Sequence, residues 1–184
     1  MEITKKITCA GFGGQGVMMI GQMIAYAGNE EGLNALWYPS YGPETRGGTA
    51  NCSVTISSLL INSPVFSKAN TLILMNKPSL VKFLDKVEDG GEIIYNSSLI
   101  DMEVKKDNVR CYPVPANDLA IELGNMRVSN MIILGAYLAL NNELSLSTIH
   151  KVLEKLLGEK KKDLVSINIK AIDIGMKYIS TLVT

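Results

Sequence analysis

The sequence predicts a three-layer α/β/α sandwich on a mainly parallel, Rossmann-like sheet, occupying residues 1–184 as a single domain. Three observations predict it. Short β-rich apolar runs alternate with longer segments of helical periodicity. A glycine-rich turn separates the first strand from the first helix. The run Thr71–Met75 is apolar after its first residue, as a parallel strand buried on both faces reads.

Each element follows from a local pattern. Ile3–Phe12 reads as the first strand, with Lys5 and Lys6 near its exposed start. Gln15–Glu30 places Val17, Ile20, Ile24 and Ala27 at helical spacing. Asn34–Tyr38 is a short second strand, and Thr49–Leu60 a third that alternates through Cys52, Val54 and Ile56. Thr71–Met75 is the fourth strand and Pro78–Leu84 a short helix. Glu92–Tyr95 and Asn108–Val114 supply strands five and six. The last third is helical: Asn117–Leu123, Ser129–Asn141, Ser147–Leu157 and Ile167–Leu182, placed to cover one face of the sheet. Ser147 with His150, or Ser145 with Thr148, offers a start for the third of these. Gly158–Asp163 reads as a charged surface loop. No internal repeat or low-complexity tract interrupts the pattern.

Composition narrows the function. The chain is 47% hydrophobic and 20% charged, which suits a folded core rather than disorder. Lys+Arg and Asp+Glu both number 18, so there is no basic excess for nucleic acid. The same neutrality is poor for a free monomer and hints at a partner. The longest apolar run, Met131–Leu140 apart from Gly135, is far short of the ~20 residues that span a bilayer. The N-terminus shows no signal-peptide apolar stretch, and a cytoplasmic location is expected. Cys9, Cys52 and Cys111 are scattered, with no CxxC spacing for zinc or an iron–sulfur cluster, and read as small apolar strand residues. The one histidine, His150, lies in a helical stretch where a solvated or capping role outweighs catalysis. No Ser/His/Asp set can be assembled, so no catalytic and no metal-ligating residue is assigned.

Two loops carry the candidate chemistry. Residues 11–16 read Gly-Phe-Gly-Gly-Gln-Gly, and Gly11, Gly13 and Gly16 match GxGxxG between strand and helix. Glycine allows close backbone approach, and the helix behind it offers unpaired N–H groups and a positive dipole end to an anion. The extra Gly14 opens the loop, and Gln15 suits an amide or phosphate contact. A dinucleotide site needs an acidic residue at the end of the second strand for ribose hydroxyls. That strand ends in Tyr38, Pro39 and Ser40, while Glu30 and Glu31 fall before it. A structural tight turn, an anion or partner contact, and a dinucleotide site all stay open. The second loop, residues 39–51, leaves the same sheet edge and carries Glu44 and Arg46. Arg46 offers a planar fork to phosphate or carboxylate, or pairs with Glu44 on the surface. The candidate binding set is Gly11, Gly13, Gly14, Gln15, Gly16, Arg46, Gly47, Gly48, Thr49 and Asn51, with Thr45 as a further short polar group. Met18, Met19 and Met23 read as core filling, with a partner interface as the alternative.

The two motifs together resemble the gamma subunit of 2-oxoacid:ferredoxin oxidoreductases. They are Gly-Phe-Gly-Gly-Gln-Gly-Val and, about 25 residues on, Tyr-Gly-Pro-Glu-Thr-Arg-Gly-Gly-Thr-Ala-Asn-Cys. The 2-oxoglutarate and 2-ketoisovalerate types look most alike, with pyruvate enzymes in the same family. The segment Asn117–Leu123 and the helix start near Val128–Asn130 also look like that family's Asn … Asn-Met region. The resemblance implies a complex that decarboxylates a 2-oxoacid, most simply 2-oxoglutarate, and forms acyl-CoA. Thiamine diphosphate and iron–sulfur clusters would sit on partner subunits. Alpha, beta and ferredoxin-like delta subunits would be the partners, with ferredoxin as electron acceptor. This chain would bind no cofactor alone beyond a coenzyme A contact, and the isolated chain would be inactive. A stand-alone Rossmann-like dinucleotide enzyme and a pure assembly scaffold are the competing readings.

Overall fold

A computed structural model describes residues 2–40, 49–158 and 162–183. β1 (Thr4–Phe12), β2 (Asn34–Ser40), β3 (Thr49–Ser57), β4 (Ala69–Leu74), β5 (Val87–Asn96) and β6 (Arg110–Val114) form one sheet in the order β2-β3-β1-β4-β5-β6. The helices are α1 (Val17–Glu30), α2 (Lys77–Phe83), α3 (Ala116–Glu122), α4 (Ser129–Leu140), α5 (Leu146–Leu157) and α6 (Lys162–Leu182). The β1–β4, β4–β5 and β5–β6 pairs are parallel. β3 runs antiparallel to both β1 and β2, so β2 points the same way as the parallel strands. The mainly parallel sheet is therefore present, with β3 as the reversed strand. Its reversal has a simple cause. Only residues 41–48 separate β2 from β3, and a parallel return needs a dozen or more.

Side-chain alternation sends two cores to opposite faces. Ile7, Cys9, Cys52, Val54, Ile56, Ile73, Ile94 and Val114 join the core under α1, α4, α5 and α6. Ala10, Leu72, Leu74, Ile93 and Tyr95 join Leu80 and Phe83 of α2, with Ile100 and Val104, on the other face. The layers are unequal: four long helices cover one face, and the seven-residue α2 with its connecting segments is the smaller cover of the other.

α4 is buried from Ser129 to Leu138, apolar on all sides because it lies between the sheet and α6. The α4–α6 crossing needs glycine on both helices. A Cβ on Gly135 would stand 2.0 Å from the Ile172 carbonyl oxygen, and one on Gly175 would stand 1.9 Å from that of Ile132. Among the described residues no helix is long and apolar enough to cross a membrane.

Element ends differ from expectation where charge and glycine disturb the pattern. β5 reaches back to Val87 through an irregularity opposite Ala69–Thr71, because Gly90 takes a positive φ of 80° inside a stretch too polar to read as strand. β3 stops at Ser57 rather than Leu60. α6 begins at Lys162, with Asp163 favourable in its first turn. The expected charged loop thus shortens, and its residues 159–161 lie outside the described residues.

Two polar assemblies hold the edge opposite the glycine turn. The buried carboxylate of Glu92 accepts from Thr71 Oγ1 at 3.0 Å and from Asn141 Nδ2 at 2.7 Å, with Arg110 at 3.6 Å. Lys5 Nζ donates to Asn141 Oδ1 at 3.0 Å and pairs with Glu143 at 2.9 Å. The second assembly docks α5. Ser145 is its cap, accepting from Thr148 N at 3.2 Å, so the Ser145 start is the one used. Glu31 accepts from Ser145 N at 3.0 Å, while Glu30 pairs with Lys151 at 2.8 Å and with Lys155. The acids that fall too early for a ribose contact thus pin the end of α1 to α5.

Candidate anion site at the glycine turn

β1 ends at Phe12, and Gly13–Gly16 turn the chain into α1. Gly14 (φ 90°) and Gly16 (φ 75°) occupy the left-handed region that L side chains avoid. Gly16 is also the cap residue of α1, and without a side chain it leaves the first N–H groups uncapped. The first turn carries no acidic residue. A Cβ on Gly16 would stand 2.3 Å from Asn130 Nδ2, and that amide donates to the Gly16 carbonyl at 3.4 Å. A Cβ on Gly14 would meet nothing within 4 Å, so its backbone faces open space. An open cleft of about 600 Å³ runs along this turn, lined by Phe12, Gly13, Gly14, Met18, Met19 and Ala50 among others.

Gln15 turns inward. Its Oε1 accepts from Phe12 N at 2.6 Å and from Asn76 Nδ2 at 3.0 Å, and its Nε2 donates to the Met75 carbonyl at 3.5 Å. Gly11 accommodates this, since a Cβ there would stand 2.7 Å from Gln15 Oε1. Asn76 follows β4 and also caps α2, accepting from Ser79 N at 2.9 Å. Gln15 and Asn76 therefore splice the ends of β1 and β4. Neither Asn76 nor Asn130 is among the expected site residues of the two glycine loops, although Asn76 carries a legible cap signal before Lys77-Pro78-Ser79.

The second loop leaves from the same edge. In register, Ser40 faces Asn51, Asn51 faces Ala10 and Thr49 faces Phe12. Thr49 and Asn51 thus join the glycine turn, while Arg46, Gly47 and Gly48, with Glu44 and Thr45, lie outside the described residues. A cation that sequence reasoning missed enters here. Lys82 of α2 donates from Nζ to Thr49 Oγ1 at 3.1 Å. No one-dimensional signal marks it, because α2 and β3 meet only across the sheet.

Cys9 and Cys52 face each other across β1 and β3, both buried. The hydrogen bond to Cys52, followed by burial, pushes the Cys9 thiol well above its usual range. Cys52 Sγ lies 3.5 Å from the Val17 carbonyl. Cys111 is half-buried on β6, its thiol raised by burial. The chain has three cysteines, one fewer than a four-thiolate cluster needs, and among the described residues no three His, Cys, Asp or Glu side chains gather as metal ligands. This donor set does not fit an iron–sulfur cluster.

Residues 6–178 match the family model described as pyruvate ferredoxin/flavodoxin oxidoreductase. The chain is similar to ketoisovalerate oxidoreductase subunit VorA of Methanothermobacter marburgensis, 37% identical over 94% of this chain and 36% of that protein. It therefore spans about a third of that relative's length. It is also similar to 2-oxoglutarate synthase subunit KorC of Methanothermobacter thermautotrophicus, 34% identical over 74% of this chain and 76% of that one. Among solved structures, the 2-oxoglutarate:ferredoxin oxidoreductase of Magnetococcus marinus with 2-oxoglutarate, coenzyme A and succinyl-CoA bound superposes with a TM-score of 0.85. It is 26% identical and covers 98% of this chain and 31% of that one. The chain belongs to the pyruvate ferredoxin/flavodoxin oxidoreductase family.

Proposed function

We propose that this chain is the gamma subunit of a cytoplasmic, multi-subunit 2-oxoacid:ferredoxin oxidoreductase, and that its glycine-turn edge contacts an anionic part of coenzyme A. The observation that carries the anion contact is the uncapped start of α1, held open to a cleft by Gly14 and Gly16. Alpha, beta and delta subunits would complete the complex, with thiamine diphosphate and the iron–sulfur clusters on those partners and ferredoxin accepting the electrons. The lack of an acid at the end of β2, with Glu30 and Glu31 engaged by α5 and its cap, weighs against a dinucleotide enzyme.

A second reading of the same edge is a carboxylate of the thiamine-binding subunit, since N–H groups and Arg46 suit either anion. In the purified complex, Arg46→Ala is expected to weaken acyl-CoA formation or subunit assembly while leaving the far-ultraviolet circular dichroism of this chain unchanged. Wild-type values for both would sink the proposal. Loss of assembly alone would assign the edge to the partner carboxylate.

Two acids compete as substrate. The VorA match is the longer, at 94% of this chain. The KorC match and the Magnetococcus structure support the expected 2-oxoglutarate. Comparing kcat/KM for 2-oxoglutarate and 2-ketoisovalerate decides between them.

A further inference from the structure

The coenzyme A reading leaves one cation of the ligand edge without a role. Lys77 of α2 lies 3.6 Å from the Asp101 carboxylate. Lys82 has no carboxylate partner among the described residues. Its ammonium donates to the neutral hydroxyl of Thr49 and lies 5.6 Å from the centre of the Phe83 ring. A hydroxyl is a weak partner for an ammonium, and a phosphate is a stronger one. Thr49 faces Phe12 in register, so Lys82 reaches the end of β1 from the α2 side while α1 opens on the other.

We infer that Lys82 is a second phosphate contact, which reads the 3′-phosphate of coenzyme A while the α1 end receives the diphosphate. The inference rests on the proposed coenzyme A contact. Its chemistry follows from the two groups. A diphosphate offers several oxygens at low charge density, suited to successive backbone N–H groups. A phosphate monoester concentrates nearly two charges on one centre, suited to the compact ammonium of lysine. Thr49 Oγ1 holds the ammonium in place and yields it when phosphate arrives.

The test uses the purified complex and compares coenzyme A with 3′-dephospho-coenzyme A. The wild type should favour coenzyme A in KM by about tenfold, the size of one charge-assisted hydrogen bond. Lys82→Met, which keeps the stem, should raise KM for coenzyme A by that factor and leave KM for the 2-oxoacid and for the dephospho form where they were. Lys82→Arg should recover most of the loss. A wild type that does not discriminate the two forms overturns the inference. So does an equal rise for both forms in Lys82→Met, which would make the lysine a prop for Thr49. If Lys82→Met keeps the wild-type KM for coenzyme A while Arg46→Ala raises it, Lys82 is wrongly assigned and the coenzyme A contact stands. If neither variant moves that KM, both fall.

Discussion

Gly16 carries three demands at once: a left-handed backbone, a cap without a side chain, and room for Asn130. The first demand is legible in the GxGxxG spacing, because it is local. The third is not, because Asn130 arrives from α4 more than a hundred residues later. Gln15 shows the same limit. Its polarity was legible, but its inward aim depends on Asn76 and Met75 at the end of a neighbouring strand. Glu30 carries a prediction at this scale. Hydrogen bonds from Lys151 and Lys155 lower its carboxyl from 4.5 to about 2. The folded value lies below the unfolded one, so the stabilisation is fully present above about pH 4.5 and fades as pH falls towards 2. The Tm difference between wild type and Glu30→Gln should shrink over that window. A difference that stays constant down to pH 2 would mean that the pairs add nothing.

At the scale of elements, α1 can be tested by reversing the charge preference of its start. Met19 lies in the first turn, half-buried beside the cleft. A carboxylate there complements the helix dipole by about 0.3–1 kcal/mol but repels an incoming anion. Met19→Glu should therefore be more stable than Met19→Gln in urea, yet show a higher KM for coenzyme A in the complex. A KM for coenzyme A that does not rise in Met19→Glu over Met19→Gln would show that the start of α1 is not the anion site. The α4–α6 crossing gives a packing prediction. Gly135→Ala presses a methyl group onto the Ile172 carbonyl and should cost about 3 kcal/mol or more by denaturant unfolding, because overpacking forces backbone shifts. By contrast Gly32→Ala, at an exposed glycine of positive φ with nothing within 4 Å, should cost only the strain of a left-handed alanine, about 1–2 kcal/mol. Element type was largely legible from periodicity. Strand direction was less so: the short link before β3 was visible, but the reading of a mainly parallel sheet did not single out β3 as the reversed strand. The beginning of α6 was hidden because Lys162 and Asp163 fall in a charged stretch that reads as loop.

At the scale of the whole molecule, the sequence's neutral charge and high apolar content are divided between two cores and a surface with large exposed side chains. Phe12, Leu36 and Tyr38 lie at or beyond one-third exposure, and Leu60 and Val81 are far more open. The fold recurs both as most of a relative's chain and as about a third of a longer one, which suits a unit built to work against neighbours. The layered architecture and the glycine turn at the sheet edge were legible because alternation and glycine spacing are properties of short stretches. The Glu92–Asn141–Lys5 network was not, since it joins β1, β5 and the end of α4 only after the chain has folded. The splice made by Gln15 and Asn76 has a further meaning. It fixes the turn before any ligand arrives, so the conformational entropy of ordering that loop is spent in folding rather than in association. In the proposed role, a receptor preorganised in this way would recognise its anion as a finished shape, with selectivity residing in fit rather than in a closing motion.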